Sequence, residues 1–527
     1  MYRPYDQGQS FLLPPSLRDF VSEDHPAHVI NDLVDQLDLS VLEAHYGNMG
    51  QPAYHPRLMI KVILYGFTVG IFSSRKLERA CQENLAFKYL AGMATPVFRT
   101  FIEFRQRHRE DMQEVFVQTA RLARELGLAR LGAVALDGSK VDANTSKHKA
   151  MSYGRMREKE AVLKEEIEQL LKTAEDTDER EDLEHGQEVD GYRVSAELAR
   201  REERLAKIKK AKAALEKRED REHPGEPIDP KKQISFADHD ARCFAKRGDG
   251  TRYVYNPQAA VDMDSQIIVA NHIEDSVSDA HATEPVLEQM EQDIGLPKQL
   301  VADASYGNKD TLESCKERGV TPVCATGREG KEAQEVGKLE RFSYDKDQDS
   351  FACPHGHVFK FAHERPTDGT RTYKSLETVG CTCGHYETID GCEVLRVDQS
   401  HLAKRELRRI MNEPGHSELY RRRKCTVEPV FGQIKAGMGF RRFHYRGQQN
   451  VRSEWNLVCA AFNIKKIAAL LPRQRHITSE QGAIHSASKR SRPGFPLFRS
   501  LAVRFIRPTI QWASVGFTTG PRPLSFT

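Results

Sequence analysis

The 527-residue sequence has no long apolar run. Its longest, Leu58 to Phe72, is broken by Lys61 and is too short to cross a bilayer. The N-terminal MYRPYDQGQSFLLPPSL lacks the apolar core of a signal peptide. A cytoplasmic protein is therefore expected. Cysteine is sparse as well: ten in so long a chain cannot build a disulfide scaffold, which leaves reduced thiols or a metal site. Nor is there a large net charge, since the sum is only +3. Its distribution is uneven, however. Lys404 to Arg446 holds 12 Lys and Arg against 4 Asp and Glu, and Pro472 to Thr527 holds 9 against 1, a local excess suited to contact with a polyanion.

A chain of this length exceeds one ordinary domain, and roughly 100–200 residues per domain suggests about three or four units. From Ala27 to Leu126 apolar residues recur at helical spacing. Pro56 opens a helix that Gly70 ends, and Ser73 and Ser74 cap the next, SRKLERACQEN. This pair, with Arg75, Lys76 and Arg79 on its second member, is either a helix-turn-helix that reads DNA or a plain bundle with a solvated basic face. Residues 155–235 are dense in Glu, Lys, Arg, Ala and Leu. Leu163, Ile167, Leu170 and Leu171 keep an apolar stripe there, so a two-helix arm is predicted.

Between Asp137 and Thr326 the pattern becomes strand, hairpin (Arg252–Val261 with Gln266–His272), helix, strand, helix, strand. That is the order of a ribonuclease-H-like α/β fold, with the charged arm inserted after the first strand. Residues 331–403 interrupt it again and carry Cys353, Cys381, Cys383 and Cys392, a possible zinc staple whose C-x-C and C-x8-C spacings are not the usual pairs.

Three acids stand out. Asp137 and Asp303 each end a short apolar strand (AVALD, QLVAD), at the sheet edge where ligand groups collect in open α/β sheets. Either alone reads as a turn cap. Together they repel unless a cation lies between them, and hard Mg²⁺ or Mn²⁺ suits carboxylate oxygens. Glu428 is the third, in TVEPVFGQIK. Thr426 is expected to cap a helix there, Pro429 to sit in its first turn, and Lys435 to project, two turns on, from the same face as Glu428.

The boxes LDGSK, YNPQAAVD, VADASYG and VEPVFGQIKAGMGFRRF resemble those of bacterial insertion-sequence transposases of the DDE type. The nearest branch is the insertion sequence eleven-eighty-two family, with its helical N-terminal domain, cysteine-bearing insertion and SEWNLVCAAFNIKKI ending. The similarity covers roughly residues 1–470. It implies a helical, DNA-binding N-terminal domain (1–128) and a ribonuclease-H-like catalytic core (129–330 with 404–471). It also implies insertions at 155–235 and 331–403. Beyond the similarity, residues 472–527, rich in Ser, Pro, Gly and Arg with little pattern, are expected to be a basic, flexible tail. By position, Asp137, Asp303 and Glu428 would be the triad, sharing two Mg²⁺ or Mn²⁺ ions. Gly138 would give DNA room to approach. Lys435, with Arg423 or Lys424, would hold phosphates, and Arg441, Arg442 and Arg446, interleaved with Phe443 and Tyr445, would track the strand. The family's Tyr and Arg before the last acid are only partly met: Arg421 and Lys424 occupy those positions, and Tyr420 and Arg423 sit one residue early. The implied activity is metal-dependent strand cleavage at element ends and transfer into target DNA, by a homodimer that pairs two ends at the nucleoid. The alternatives are a non-catalytic DNA-binding descendant and a nuclease that cuts without joining.

Overall fold

The computed structural model describes residues 16–47, 52–181, 191–246, 250–326, 341–365, 370–375, 387–389 and 392–483. Seven helices come first: α1 (Pro26–Asp35), α2 (Ser40–Glu43), α3 (Pro56–Thr68), α4 (Ser74–Glu83), α5 (Leu85–Leu90), α6 (Phe98–Arg107) and α7 (Met112–Glu125). Pro56 stands at the first turn of α3, where its missing N–H costs nothing, and Gly70 takes the left-handed conformation just past its end. Ser73 occupies the N-cap position of α4, but its hydroxyl makes no capping bond.

The central sheet begins with β1 (Ala133–Gly138) and β2 (Val141–Asp142). Its other strands are β5 (Arg242–Lys246), β6 (Gly250–Asp262), β7 (Ile268–Glu274), β8 (Gln299–Ala302) and β9 (Thr321–Cys324). β6 is the spine. Its first half pairs with β5 and β2, and its second half lies antiparallel between β7 and β1. β8 and β9 then add in parallel, reached through α10 (Thr283–Asp293) and α11 (Lys309–Glu317).

Between β2 and β5, the short pair β3 (Ala150–Ser152) and β4 (Gln233–Ser235) carries α8 (Tyr153–Glu181) and α9 (Gly191–Glu222). These long helices bury Met156, Leu163, Ile208, Ala211, Leu215 and Ile234 in a small core of their own. Leu171, by contrast, is exposed. A second sheet follows β9: β10 (Ser343–Asp345), β11 (Ser350–Ala352), β12 (Val358–Glu364), β13 (Arg371–Ser375), β14 (Glu387–Ile389) and β15 (Cys392–Val397), around Phe342, Phe351, Phe359 and Tyr373. Cys353 is buried in that core. Cys381 and Cys383 lie outside the described residues, and of Cys392 only the backbone at the start of β15 is described.

The chain returns through α12 (Gln399–Met411), α13 (His416–Gly432) and α14 (Gln448–Ala483). The N-terminal helices, the central sheet and α13–α14 share one apolar core. Asn463 is wholly buried; its side chain accepts from Ile268 N (2.9 Å) and donates to Ile268 O (2.8 Å), so it completes the free edge of β7 as another strand would. Helix α14 runs to Ala483, so the segment expected to be an irregular tail from residue 472 starts as helix, and residues 484–527 lie outside the described residues. Among the described residues no helix is long and apolar enough to cross a membrane.

Candidate functional site

Parallel pairing of β1 with β8 sets Leu136 opposite Ala302, and so places Asp137 and Asp303 side by side at the carboxyl edge of the sheet. Asp303 Oδ1 accepts from Ser305 N (2.8 Å) and from the Ser305 hydroxyl, which is the turn cap an isolated aspartate would be. Its Oδ2 has no hydrogen-bond partner among the described residues and remains open as a ligand. Asp137 is more enclosed. Burial pushes its carboxyl up to about 6; Arg423 opposes this, and the neighbouring charge of Asp303 adds to it. Two carboxylates side by side in a poorly solvated corner fit a divalent cation.

Arg423 now supplies that positive charge. Its Nη1 lies 3.0 Å from Asp137 Oδ2, and its side chain is 7% exposed. The expectation that Arg423 holds DNA phosphate is therefore corrected: it is buried against the aspartate. Its Nε, also buried, has no partner among the described residues.

Below the pair lies a polar network that sequence reasoning missed. Asp279, in the loop after β7, has Oδ1 within 2.9 Å of Lys140 Nζ and 2.8 Å of both Asn256 Nδ2 and Gln258 Nε2. The buried Tyr306 hydroxyl donates to Gln258 Oε1, and Trp455 Nε1 to the Gln258 carbonyl at 3.1 Å. Lys140 is thus tied to Asp279. A Cβ on Gly138 would lie 2.7 Å from Asp279 Oδ1 and 2.9 Å from Gln258 Cδ. The glycine makes room for this network. The only signal in the sequence was the pair of amides in YNPQAAVD, polar groups in an otherwise apolar strand that must find partners once buried.

Helix α13 differs from expectation. It starts at His416, so Thr426 is inside it and bonds back to the Arg422 carbonyl (2.9 Å) rather than capping it. Pro429 is likewise interior. The Cys425 carbonyl, deprived of its helical partner by the proline, accepts from Gln266 Nε2 at 3.1 Å, which lets the helix continue. Glu428 is exposed on this helix, and no hydrogen bond or ion pair joins it to another described residue. At roughly 100° per residue it points about 140° away from Arg423, the side chain that meets Asp137. The structure therefore brings Asp137 and Asp303 together, with Asp279 close by, and leaves Glu428 on the far face. A π-helical turn, Gln433–Gly437, follows and shifts the phase, so Lys435 does not share the face of Glu428. Lys435 Nζ instead donates to Ser139 Oγ (2.5 Å) and the Lys140 carbonyl (3.2 Å), just beyond Asp137, and burial lowers its proton affinity.

Of the other expected DNA contacts, Lys424, Arg441, Arg442, Arg446, Arg75 and Lys76 are exposed. Phe443 is not available to stack bases: it is wholly buried, edge-on to Phe440 and Tyr255. Tyr445 is half-buried, and Arg105 Nη1 donates to its hydroxyl at 3.1 Å.

Two family models match the chain: the transposase domain DUF772 over residues 15–107, and the transposase DDE domain over residues 223–464. The first takes in α1 to α6. The second runs from the end of α9 into α14, and so includes Asp303, Glu428 and, of the polar network, Asp279, Asn256, Gln258, Tyr306 and Trp455. This chain is an insertion-sequence DDE transposase. No curated protein and no solved structure matches it. Membership makes it one of a family of enzymes that act on DNA and generally use divalent Mg²⁺ or Mn²⁺. The transposase is a mixed α/β protein with a helical N-terminal region, and its β1, with Asp137, precedes the matched DDE segment.

Proposed function

We propose that this transposase cuts DNA at the ends of its insertion sequence and joins the freed 3′ ends to target DNA, using Asp137, Asp303 and Glu428. The observation that carries the proposal is the placement of Asp137 and Asp303 on adjacent parallel strands, at one edge, with Arg423 as counter-charge. The strand order, three antiparallel strands extended by two parallel ones, supports a ribonuclease-H-like core with the α8–α9 arm and the β10–β15 sheet as insertions.

Bound there, two Mg²⁺ or Mn²⁺ ions would supply Lewis-acid stabilisation of phosphate oxygens and lower the pKa of a nucleophile. The chain's own groups do the rest. Asp137 and Asp303 would hold the ions. Asp279, through Lys140, Asn256 and Gln258, fixes the strand ends beneath them. Lys435 meets phosphate beside Asp137, while Lys424, Arg441, Arg442, Arg446, Arg75 and Lys76 meet the backbone farther out. Glu428 joins the aspartates only after Arg423 leaves Asp137 and α13 turns. The π-helical Gln433–Gly437 is where such a change of phase can be absorbed. Pairing two element ends calls for a homodimer on DNA. In the 331–403 insertion, Cys353, Cys381, Cys383 and Cys392 would hold a structural zinc ion.

Incubating the protein with Mg²⁺ and a labelled inverted-repeat end tests the reading. Cutting followed by joining is expected. Cutting alone would mean a nuclease, and binding alone a non-catalytic descendant.

A further inference from the structure

Far along the chain from the aspartates, three side chains of the N-terminal helices converge. His45 follows α2, His108 caps the C-terminus of α6, and Asp111 occupies the N-cap position of α7 without capping it. His45 Nε2 and His108 Nδ1 each lie 3.1 Å from Asp111 Oδ2, and one ligand atom from each residue falls within 4.8 Å of the others. We propose that these residues bind a transition-metal dication of the zinc class, apart from the ions of the catalytic carboxylates.

The chemistry of the donor set fits. Zinc takes imidazole nitrogen and carboxylate oxygen at about 2.0–2.2 Å in a tetrahedron, whose ligand atoms then stand about 3.3 Å apart. The 3.1 Å separations are near that edge, so small side-chain shifts close the site. The remaining nitrogen of His108, Nε2, is 3.0 Å from the Tyr46 hydroxyl, the kind of outer contact that fixes ring orientation in a metal-bound histidine. His108 is fully buried, with its ring against Phe104, which holds the imidazole in place. His45 is partly exposed, which opens the fourth position to water or a ligand. An imidazole binds a metal through the lone pair of one nitrogen and carries its proton on the other, and for His108 that other nitrogen, Nε2, faces the Tyr46 oxygen. The site would staple the α2 end to the α6–α7 turn.

The test uses the full-length protein, stripped with chelator and titrated with Zn²⁺ alone, as wild type and as His45→Ala and Asp111→Asn. His45→Ala removes a partly exposed side chain and should fold; Asp111→Asn keeps the size of the residue. Each variant is expected to take up one equivalent fewer of Zn²⁺ than wild type. Each should also lose the part of the zinc-induced rise in Tm that the site provides, because a ligand bound only to the native state stabilises it. Substituting Co²⁺ should give, in wild type only, a visible band without thiolate charge transfer, which separates this site from the cysteines. Equal zinc uptake and an equal Tm rise in wild type and both variants would overturn the proposal. So would failure of the wild type to retain zinc beyond what Asp137 and the cysteines account for.

Discussion

Asp137→Asn is expected to abolish strand cleavage, a loss on the order of a thousandfold or more, while DNA binding changes by less than about threefold. The magnitude follows from what a metal supplies. Charge stabilisation of several kcal/mol at about 1.4 kcal/mol per tenfold leaves little activity once one of the carboxylates that would hold the metal is neutral. Binding survives because the exposed arginines and lysines proposed to meet the backbone lie elsewhere, on α4, α13 and the segment from Arg441 to Arg446. Asp303→Asn and Glu428→Gln belong in the same assay. Glu428→Gln is the more informative, since that residue faces solvent in this structure. A loss equal to that of the aspartates would require α13 to turn. Gel analysis of a labelled end, beside a mobility-shift titration, reads both quantities, and wild-type cleavage by any one variant would remove that residue from the proposed triad.

The largest effect on stability is expected from Trp455→Ala. Trp455 is fully buried on α14, lies parallel to Phe431 of α13 at 6.2 Å, and donates to the Gln258 carbonyl of β6. It therefore ties the C-terminal helix both to α13 and to the strand beside Asp137. Emptying that space should cost about 3–5 kcal/mol. Trp455→Phe keeps most of the packing but removes the bond to the Gln258 carbonyl, which should cost roughly 1 kcal/mol. Urea denaturation of wild type and both variants measures the difference. A loss below about 1 kcal/mol in Trp455→Ala would show that α14 is not holding the site together.

Much of the sheet was legible because its signals are local. Apolar strands ending in acids, the hairpin around Asp264 and the helices after it all express short-range pattern. What was missed depends on partners distant in sequence. Pro429 reads as a helix start unless Gln266 is known to take the carbonyl it frees. The FRRFHYRG stretch reads as a basic strand-tracking ribbon, yet Phe443 belongs to the core because Tyr255 and Phe440 surround it. Asp279 carries no strand-end signature and acquires its place only when β6 brings Asn256 and Gln258 beneath it. Arg423 was read as a phosphate ligand because nothing local says that Asp137 lies 3.0 Å away. The cluster of His45, His108 and Asp111 spans a gap that no motif bridges.

The most direct test of the metal site is to replace Mg²⁺ with Fe²⁺ in the presence of end DNA, generate hydroxyl radicals with ascorbate and peroxide, and map where the polypeptide is cut. Cuts clustered around Asp137 and Asp303, with a third cluster at Glu428 once DNA is bound, are the result predicted here. Cuts that avoid Asp137 and Asp303 would contradict it.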